Sequence, residues 1–152
     1  MYKLINFTEL LKEQKIMVFK WRNDERVFKF MKTKSISLKS HLKFLKSLKN
    51  DATKRYFLVK NSDTFLGVIS FINITNASCE FGVYANPGLK GQGDTLMIAI
   101  LDYAFCVLCV KSLNATAYIQ NKAAIDLYKK FGFEIYKQDS EFLYLTLTNN
   151  KI

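Results

Sequence analysis

"GVYANPGLKGQGDTLM", Gly82 to Met97, begins as a β-rich run, breaks at Asn86-Pro87-Gly88 and resumes after Gly91-Gln92-Gly93 as an apolar, helix-like segment. The whole chain of 152 residues has six glycines and one proline. Gly82, Gly88, Gly91, Gly93 and Pro87 all fall in this window. Glycine lets backbone N–H groups face outward with no Cβ in the way, and the N–H groups just ahead of a helix lack partners and carry the positive end of its dipole. Strand, glycine turn and helix in that order outline a phosphate cradle. They also describe an ordinary connection, so the flanking sequence decides.

Upstream, "RYFLVK" (55–60), "TFLGVISFINI" (64–74) and "CEFGVYA" (79–85) are β-rich runs separated by the turn sequences "NSDT" and "TNAS", which predicts an antiparallel meander. Period-2 alternation puts Glu80, Gly82 and Tyr84 on one face of the last strand and Cys79, Phe81 and Val83 on the other. Before the meander, Tyr2–Phe7 reads as a strand and Glu9–Trp21 as a helix. Ser37 caps a further helix in which Leu38, Leu42, Leu45 and Leu48 repeat at helical spacing beside Lys39, Lys43, Lys46 and Lys49. Downstream come a helix over Asp94–Val110, a strand "LNATAYI" (113–119), a helix over Lys122–Phe131, and strands "FEIYK" (133–137) and "FLYLTL" (142–147). The order predicts an α+β fold, a mixed and mostly antiparallel sheet of about seven strands flanked by helices.

Composition bounds the function. An apolar fraction of 49% with 13 Phe and 8 Tyr excludes disorder, and the length suits one domain over residues 1–152. Glu9 and Glu13 interrupt the N-terminal stretch, so no signal peptide is expected. The most apolar run, Leu96–Val110, is shorter than the roughly 20 residues of a membrane span and contains Asp102, so no membrane insertion is expected and the location is cytoplasmic. Cys79, Cys106 and Cys109 suit a reduced compartment, and Cys106-x-x-Cys109 near the end of an apolar helix reads as core cysteines. One histidine and no second sulfur pair leave no metal-ligand set. Residues 1–60 carry 16 Lys/Arg against 5 Asp/Glu, net +11, whereas residues 61–152 are at −1. The first part of the chain is built to meet an anion.

The order of elements, with a glycine turn after the fourth strand, resembles the GCN5-related N-acetyltransferases (GNAT). Lys90, Gly91, Gln92, Gly93, Asp94 and Thr95 stand at that family's Gln/Arg-x-x-Gly-x-Gly/Ala loop. "NKAAIDLYKKFGF" (121–133) is similar to the family's Asn-x-x-Ala-x-x-x-Tyr block with its Gly-Phe turn, matched by Asn121, Ala124 and Tyr128. The resemblance implies a sheet splayed between strands 4 and 5 and acetyl-CoA held by Val83, Tyr84, Ala85, residues 90–95, Asn121, Ala124 and Tyr128. It implies Tyr128 as the acid that protonates the leaving thiolate, and a Val83 or Tyr84 N–H as oxyanion donor. Glu80, acting through water, and Ser70 are the candidates for receiving or orienting the amine's proton; the choice stays open.

For the acceptor, "FMKTKSISLKSHLKFL" (30–45), "RYFLV" and "GVISFINIT" resemble the N-acetyltransferases of bacterial pseudaminic acid biosynthesis. These act on the 4-amino group of UDP-4-amino-4,6-dideoxy-N-acetyl-β-L-altrosamine, a precursor of flagellin glycosylation. The resemblance places Arg22, His41, Asn73 and Tyr84 around the nucleotide or sugar and Phe30 and Met31 as apolar wall. "WRN" (21–23) is shared with acetyltransferases of ribosomal-protein N-termini, which are the second reading. A noncatalytic RNA- or ribosome-binding module, suggested by the basic first segment alone, is the third. Nucleic acid is not an expected partner; a homodimer is compatible.

Overall fold

The expected meander is present in a computed structural model that describes residues 1–150. Strands β2 (Arg55–Asn61), β3 (Thr64–Ile72) and β4 (Ser78–Ala85) pair antiparallel, and β1 (Tyr2–Asn6) adds to the outer edge of β2. On the other side β5 (Ser112–Tyr118), β6 (Glu134–Gln138) and β7 (Phe142–Thr148) complete a seven-stranded sheet of order β1-β2-β3-β4-β5-β7-β6. The chain folds as a mixed α/β architecture whose central sheet is antiparallel at every junction but one. That junction, β4 with β5, is parallel and short: Ser78 to Glu80 pair with Ser112 to Asn114, and beyond them the two strands no longer pair with each other. The sheet is splayed from Phe81 onward.

Five α-helices flank the sheet: α1 (Lys12–Arg22), α2 (Glu25–Phe28), α3 (Leu38–Ser47), α4 (Gly93–Asp102) and α5 (Lys122–Lys130). One face of the sheet packs on α4 and α5 through Ile69, Phe71, Phe81, Met97, Ile100, Ile125 and Tyr128. The other packs on α1 and α3 through Val18, Trp21, Leu45, Leu58 and Val68. Ser37 caps α3 by accepting from the Ser40 N–H, a contact of about 1 kcal/mol in such positions.

Several expectations are corrected. α1 starts at Lys12, not Glu9, because Asn6 caps a short 3-10 turn over Phe7–Glu9 and Leu10 and Leu11 stay extended, which buries Leu10 in the core. Leu38 and Leu42 are exposed; the buried residues of α3 are His41 and Leu45, and Leu48 is buried in the 3-10 turn that follows. The long helix after the glycine loop is α-helical only to Asp102 and continues as a π-helical turn over Tyr103–Val107. Tyr103 stacks there on Phe71 at 5.0 Å and meets Phe57 at a tilt, at 4.7 Å. Cys106, within that turn, and Cys109, just after it, are exposed, and only Cys79 is a core cysteine.

Candidate functional site

The splay opens two cavities that meet on β4. One, of about 600 Å³, lies toward α4 and α5 and is lined by Phe81, Gly82, Val83, Tyr84, Ala85, Asn86, Pro87, Leu89, Lys90, Thr116, Ala117, Asn121 and Tyr128, and also by Arg26, Val27, Phe30 and Met31. The other, of about 490 Å³, lies toward α1 and α3 and is lined by Phe7, Arg22, Met31, Thr33, Ile36, Ser40, His41, Phe44, Tyr56 and Ser70. Gly82, Val83, Tyr84 and Met31 line both.

Strand geometry decides which β4 amide faces the gap. Along an antiparallel strand the polar groups of successive residues point to opposite sides. The Asn86 N–H donates to Leu66 O on β3 at 2.8 Å, and Ser78 O accepts from Thr75 N–H on the same side. Even-numbered residues of β4 therefore face β3. The Val83 N–H, not that of Tyr84, points into the splay. The tyrosine ring at 84 instead closes the acceptor-side cavity, where burial raises its hydroxyl pKa against the opposing pull of Arg22.

The loop is pinned at its start by Asn86, whose side chain donates to Phe65 O and accepts from the Gly88 N–H, both at 2.9 Å. Gly91 has φ +75°, a conformation that glycine adopts without strain. The first bond into α4 runs from Leu96 N–H to Gln92 O, so the N–H groups of Gly93, Asp94 and Thr95 have no carbonyl one turn back. Lys90 lines the cavity; Gly91 to Thr95 lie past its edge, at the exposed tip of the helix. Asp94 is tied to Lys130 on α5 at 2.7 Å, which offsets its negative charge beside an anion-binding helix end. Asn121 caps α5 through the Ala124 N–H at 3.3 Å, leaving its amide donors for the cavity. Ala124 is half-buried against the core and outside the lining.

Two turns along α5, Tyr128 packs edge-on against Phe81 at 5.1 Å and is buried, which pushes its pKa up to about 12. No hydrogen bond engages its hydroxyl among the described residues.

On the acceptor side Ser70 is buried directly opposite Gly82, and Tyr56 is its neighbour on β2. Arg22 donates to the carbonyls of Lys34 and Thr33 at 2.6 and 2.7 Å and so holds the 29–36 segment over the splay. His41 is buried, with Nε2–H donating to Lys15 O at 3.0 Å and its ring 5.3 Å from Phe19; burial lowers its pKa and keeps it neutral. Glu80 shares the Ser70 face but lies deeper, where the strands still pair, and outside both linings; burial raises its pKa and Lys32 draws it back. Asn73 stands apart. It is exposed at the end of β3 with φ +52°, and it lines neither cavity; asparagine there serves a left-handed turn. Tyr56, Phe44 and Phe7 escape the sequence reading, although the alternation of β2 sets Tyr56 on the face of Leu58 and thus of α3.

Among the described residues no three His, Cys, Asp or Glu gather as a metal site, and no helix is long and apolar enough to cross a membrane.

Comparison with known proteins matches residues 8–134 to the Acetyltransferase (GNAT) domain family. The chain is 48% identical over 147 residues to Acetyltransferase PseH of Campylobacter jejuni strain 81-176, covering 97% of this chain and 94% of that one. The crystal structure of Campylobacter jejuni N-acetyltransferase PseH in complex with acetyl coenzyme A superimposes with a TM-score of 0.88 at 45% identity, over 99% of this chain and all of the other. A spermidine N-acetyltransferase from Vibrio cholerae, solved with CoA and spermine, shares the fold at a TM-score of 0.87 and 19% identity, over 99% of this chain and 96% of that one.

Proposed function

The chain belongs to the GNAT acetyltransferase family, and from that premise we propose that it moves the acetyl group of acetyl-CoA to the 4-amino group of a UDP-linked 4-amino-4,6-dideoxy sugar, in pseudaminic acid biosynthesis. The observation that carries the reading is the pair of cavities sharing Gly82, Val83 and Tyr84: two ligands can meet at one backbone amide from opposite sides of a splayed sheet. Likeness to PseH over nearly the full chain supports the choice of acceptor. The proposed unit is a single domain.

In this reading the open N–H groups of Gly93, Asp94 and Thr95, with Gly91, Gln92 and Lys90, hold the coenzyme pyrophosphate, while Ala85 and Asn121 hold its pantetheine arm. Acetyl-CoA supplies an activated acyl group. The Val83 N–H stabilises the oxyanion that develops as the amine attacks directly, with no acyl-enzyme. Tyr128 holds its proton at neutral pH and passes it to the departing sulfur. A hydroxyl with a pKa of about 12 facing a thiol of reference pKa about 8.5 leaves a gap of roughly 5 kcal/mol. Burial in the same cavity narrows it, because desolvation also raises the thiol. Glu80, through water, or Ser70, which lines the acceptor-side cavity opposite Gly82, receives the amine's proton or orients the amine. Arg22, His41, Tyr84 and Met31 surround the acceptor, while Phe30 lines the coenzyme-side cavity next to Met31. Family membership sets aside a noncatalytic RNA- or ribosome-binding module.

Thiol release is the test: the protein is incubated with acetyl-CoA and either the UDP-amino sugar or ribosomal-protein N-terminal peptides. Turnover with the sugar supports the reading. Turnover with peptides alone replaces it by N-terminal acetylation.

A further inference from the structure

Cys106 and Cys109 take no part in acetyl transfer and no part in the core. Both are exposed, on the outward side of the π-helical turn that ends α4, with Val107 between them 58% exposed. Cys109 has φ +56°, a left-handed conformation that non-glycine residues seldom adopt. That twist turns its side chain back along the turn, so that Sγ donates to the Cys106 carbonyl at 3.7 Å. Val107 belongs to the helical turn and Leu108 keeps right-handed helical dihedrals, so the two Cα atoms, three residues apart along a helix, are on the order of 5–6 Å apart, inside the roughly 4.4–6.8 Å that disulfides bridge. With no third His, Cys, Asp or Glu gathered beside them among the described residues, the pair lacks the ligands of a tetrahedral metal site. What remains is chemistry that two thiols complete by themselves.

We propose that Cys106 and Cys109 form an exposed dithiol site that peroxide closes into an intrachain disulfide. One thiolate attacks a peroxide oxygen, the O–O bond breaks and hydroxide leaves, giving a sulfenic acid. The second sulfur then attacks the first, the S–S bond forms and water departs. In total, two thiols and one hydrogen peroxide give one disulfide and two waters, and the two electrons lost by sulfur reduce the peroxide. Cys79, buried under the sheet, stays a thiol.

The test treats the full chain with hydrogen peroxide, unfolds it, alkylates free thiols and maps them by mass spectrometry. The peptide containing Cys106 and Cys109 should lose two hydrogen atoms, resist alkylation at both sulfurs and recover on reduction, while Cys79 alkylates. In Cys106→Ser and Cys109→Ser the remaining thiol should instead gain oxygen or cross-link two copies. Phenylarsine oxide gives a second reading that needs no oxidation: one equivalent should protect both thiols of the wild type and neither single variant. Independent oxygen uptake at the two cysteines, continued alkylation of both, or arsenical binding equal in wild type and single variants would overturn the site.

Discussion

The two cavities that meet on β4 are built by opposite means. The side toward α4 and α5 relies on backbone: a helix tip with open amides, a strand whose pairing stops, and one cap, with a single tyrosine set among them. The side toward α1 and α3 relies on side chains drawn from distant parts of the chain, Phe7, Arg22, Met31, His41, Tyr56, Ser70 and Tyr84. A backbone site suits a constant ligand such as a coenzyme, because main-chain geometry changes little with substitution. A side-chain site suits an acceptor that differs from one relative to another. If that division is right, mutations on the first side disturb the coenzyme or the chemistry, and those on the second disturb only the acceptor.

The largest expected effect breaks the comparison at the buried tyrosine on the coenzyme side. Tyr128→Phe keeps the ring against Phe81 and removes the proton donor, so kcat should fall by roughly 10²–10⁴-fold with acetyl-CoA affinity little changed. Unchanged turnover in the folded variant would exclude Tyr128 as the acid. Next is Gly93→Val. A Cβ at 93 already meets Leu127 Cδ2 at 3.1 Å, so the branched side chain displaces the helix tip from α5. Loss of one or two charged hydrogen bonds, about 1.5–3 kcal/mol each, should weaken acetyl-CoA by on the order of 10²-fold in a calorimetric titration, with no effect on acceptor binding to the free enzyme.

How far each side could be read in the sequence follows the same division. The glycine cluster and the Asn121 to Tyr128 spacing are local patterns, and the cap, the positive φ at Gly91 and the burial of Tyr128 appear where those patterns point. The charge asymmetry points less directly to the site. Of the sixteen cations in the first 60 residues only Arg22 and Arg26 line either of the two cavities that meet on β4, and the lysines of α3 sit on its outer face. Tyr56 was invisible, since its place depends on β2 pairing with β3 and on Phe44 reaching it at 4.9 Å from α3. The exposed Cys106 and Cys109 were hidden by an apolar run that looks helical throughout and changes to a π-turn at Tyr103.

Two acceptor-side changes sharpen the comparison. Arg22→Ala should raise the acceptor KM by roughly 10- to 10²-fold, as for a lost charged hydrogen bond, and leave acetyl-CoA affinity intact. Arg22→Lys should not restore it, because a single ammonium cannot replace the planar fork that holds Thr33 and Lys34. Glu80→Gln and Ser70→Ala separate the two candidate bases by pH. Burial raises the Glu80 pKa, so a Glu80 base gives kcat/KM an acid limb above the ordinary carboxylate range, which the glutamine variant abolishes. A limb that survives Glu80→Gln moves the role away from Glu80.

The smallest effect concerns stability, and it asks whether the acceptor side tolerates a proton where the coenzyme side has no group to take one. His41 is the only histidine, and burial holds its folded pKa below the unfolded value of about 6.5. Between those two values the unfolded chain binds the extra proton, so stability present above about pH 6.5 is lost as the pH falls toward the folded pKa. Glu80 acts with the opposite sign: its folded pKa is raised, and protonation there favours the folded state as the pH drops. Asp24, Asp51 and Asp139 are held below the usual carboxylate range and matter only in stronger acid. Thermal melts from pH 7.5 down to 5.5 should therefore show Tm declining in the wild type. His41→Gln keeps an N–H donor for the Lys15 carbonyl and cannot titrate, so its Tm should stay level or rise slightly as Glu80 takes up its proton. Parallel declines in the two proteins would mean that the ring at 41 is not the group being protonated.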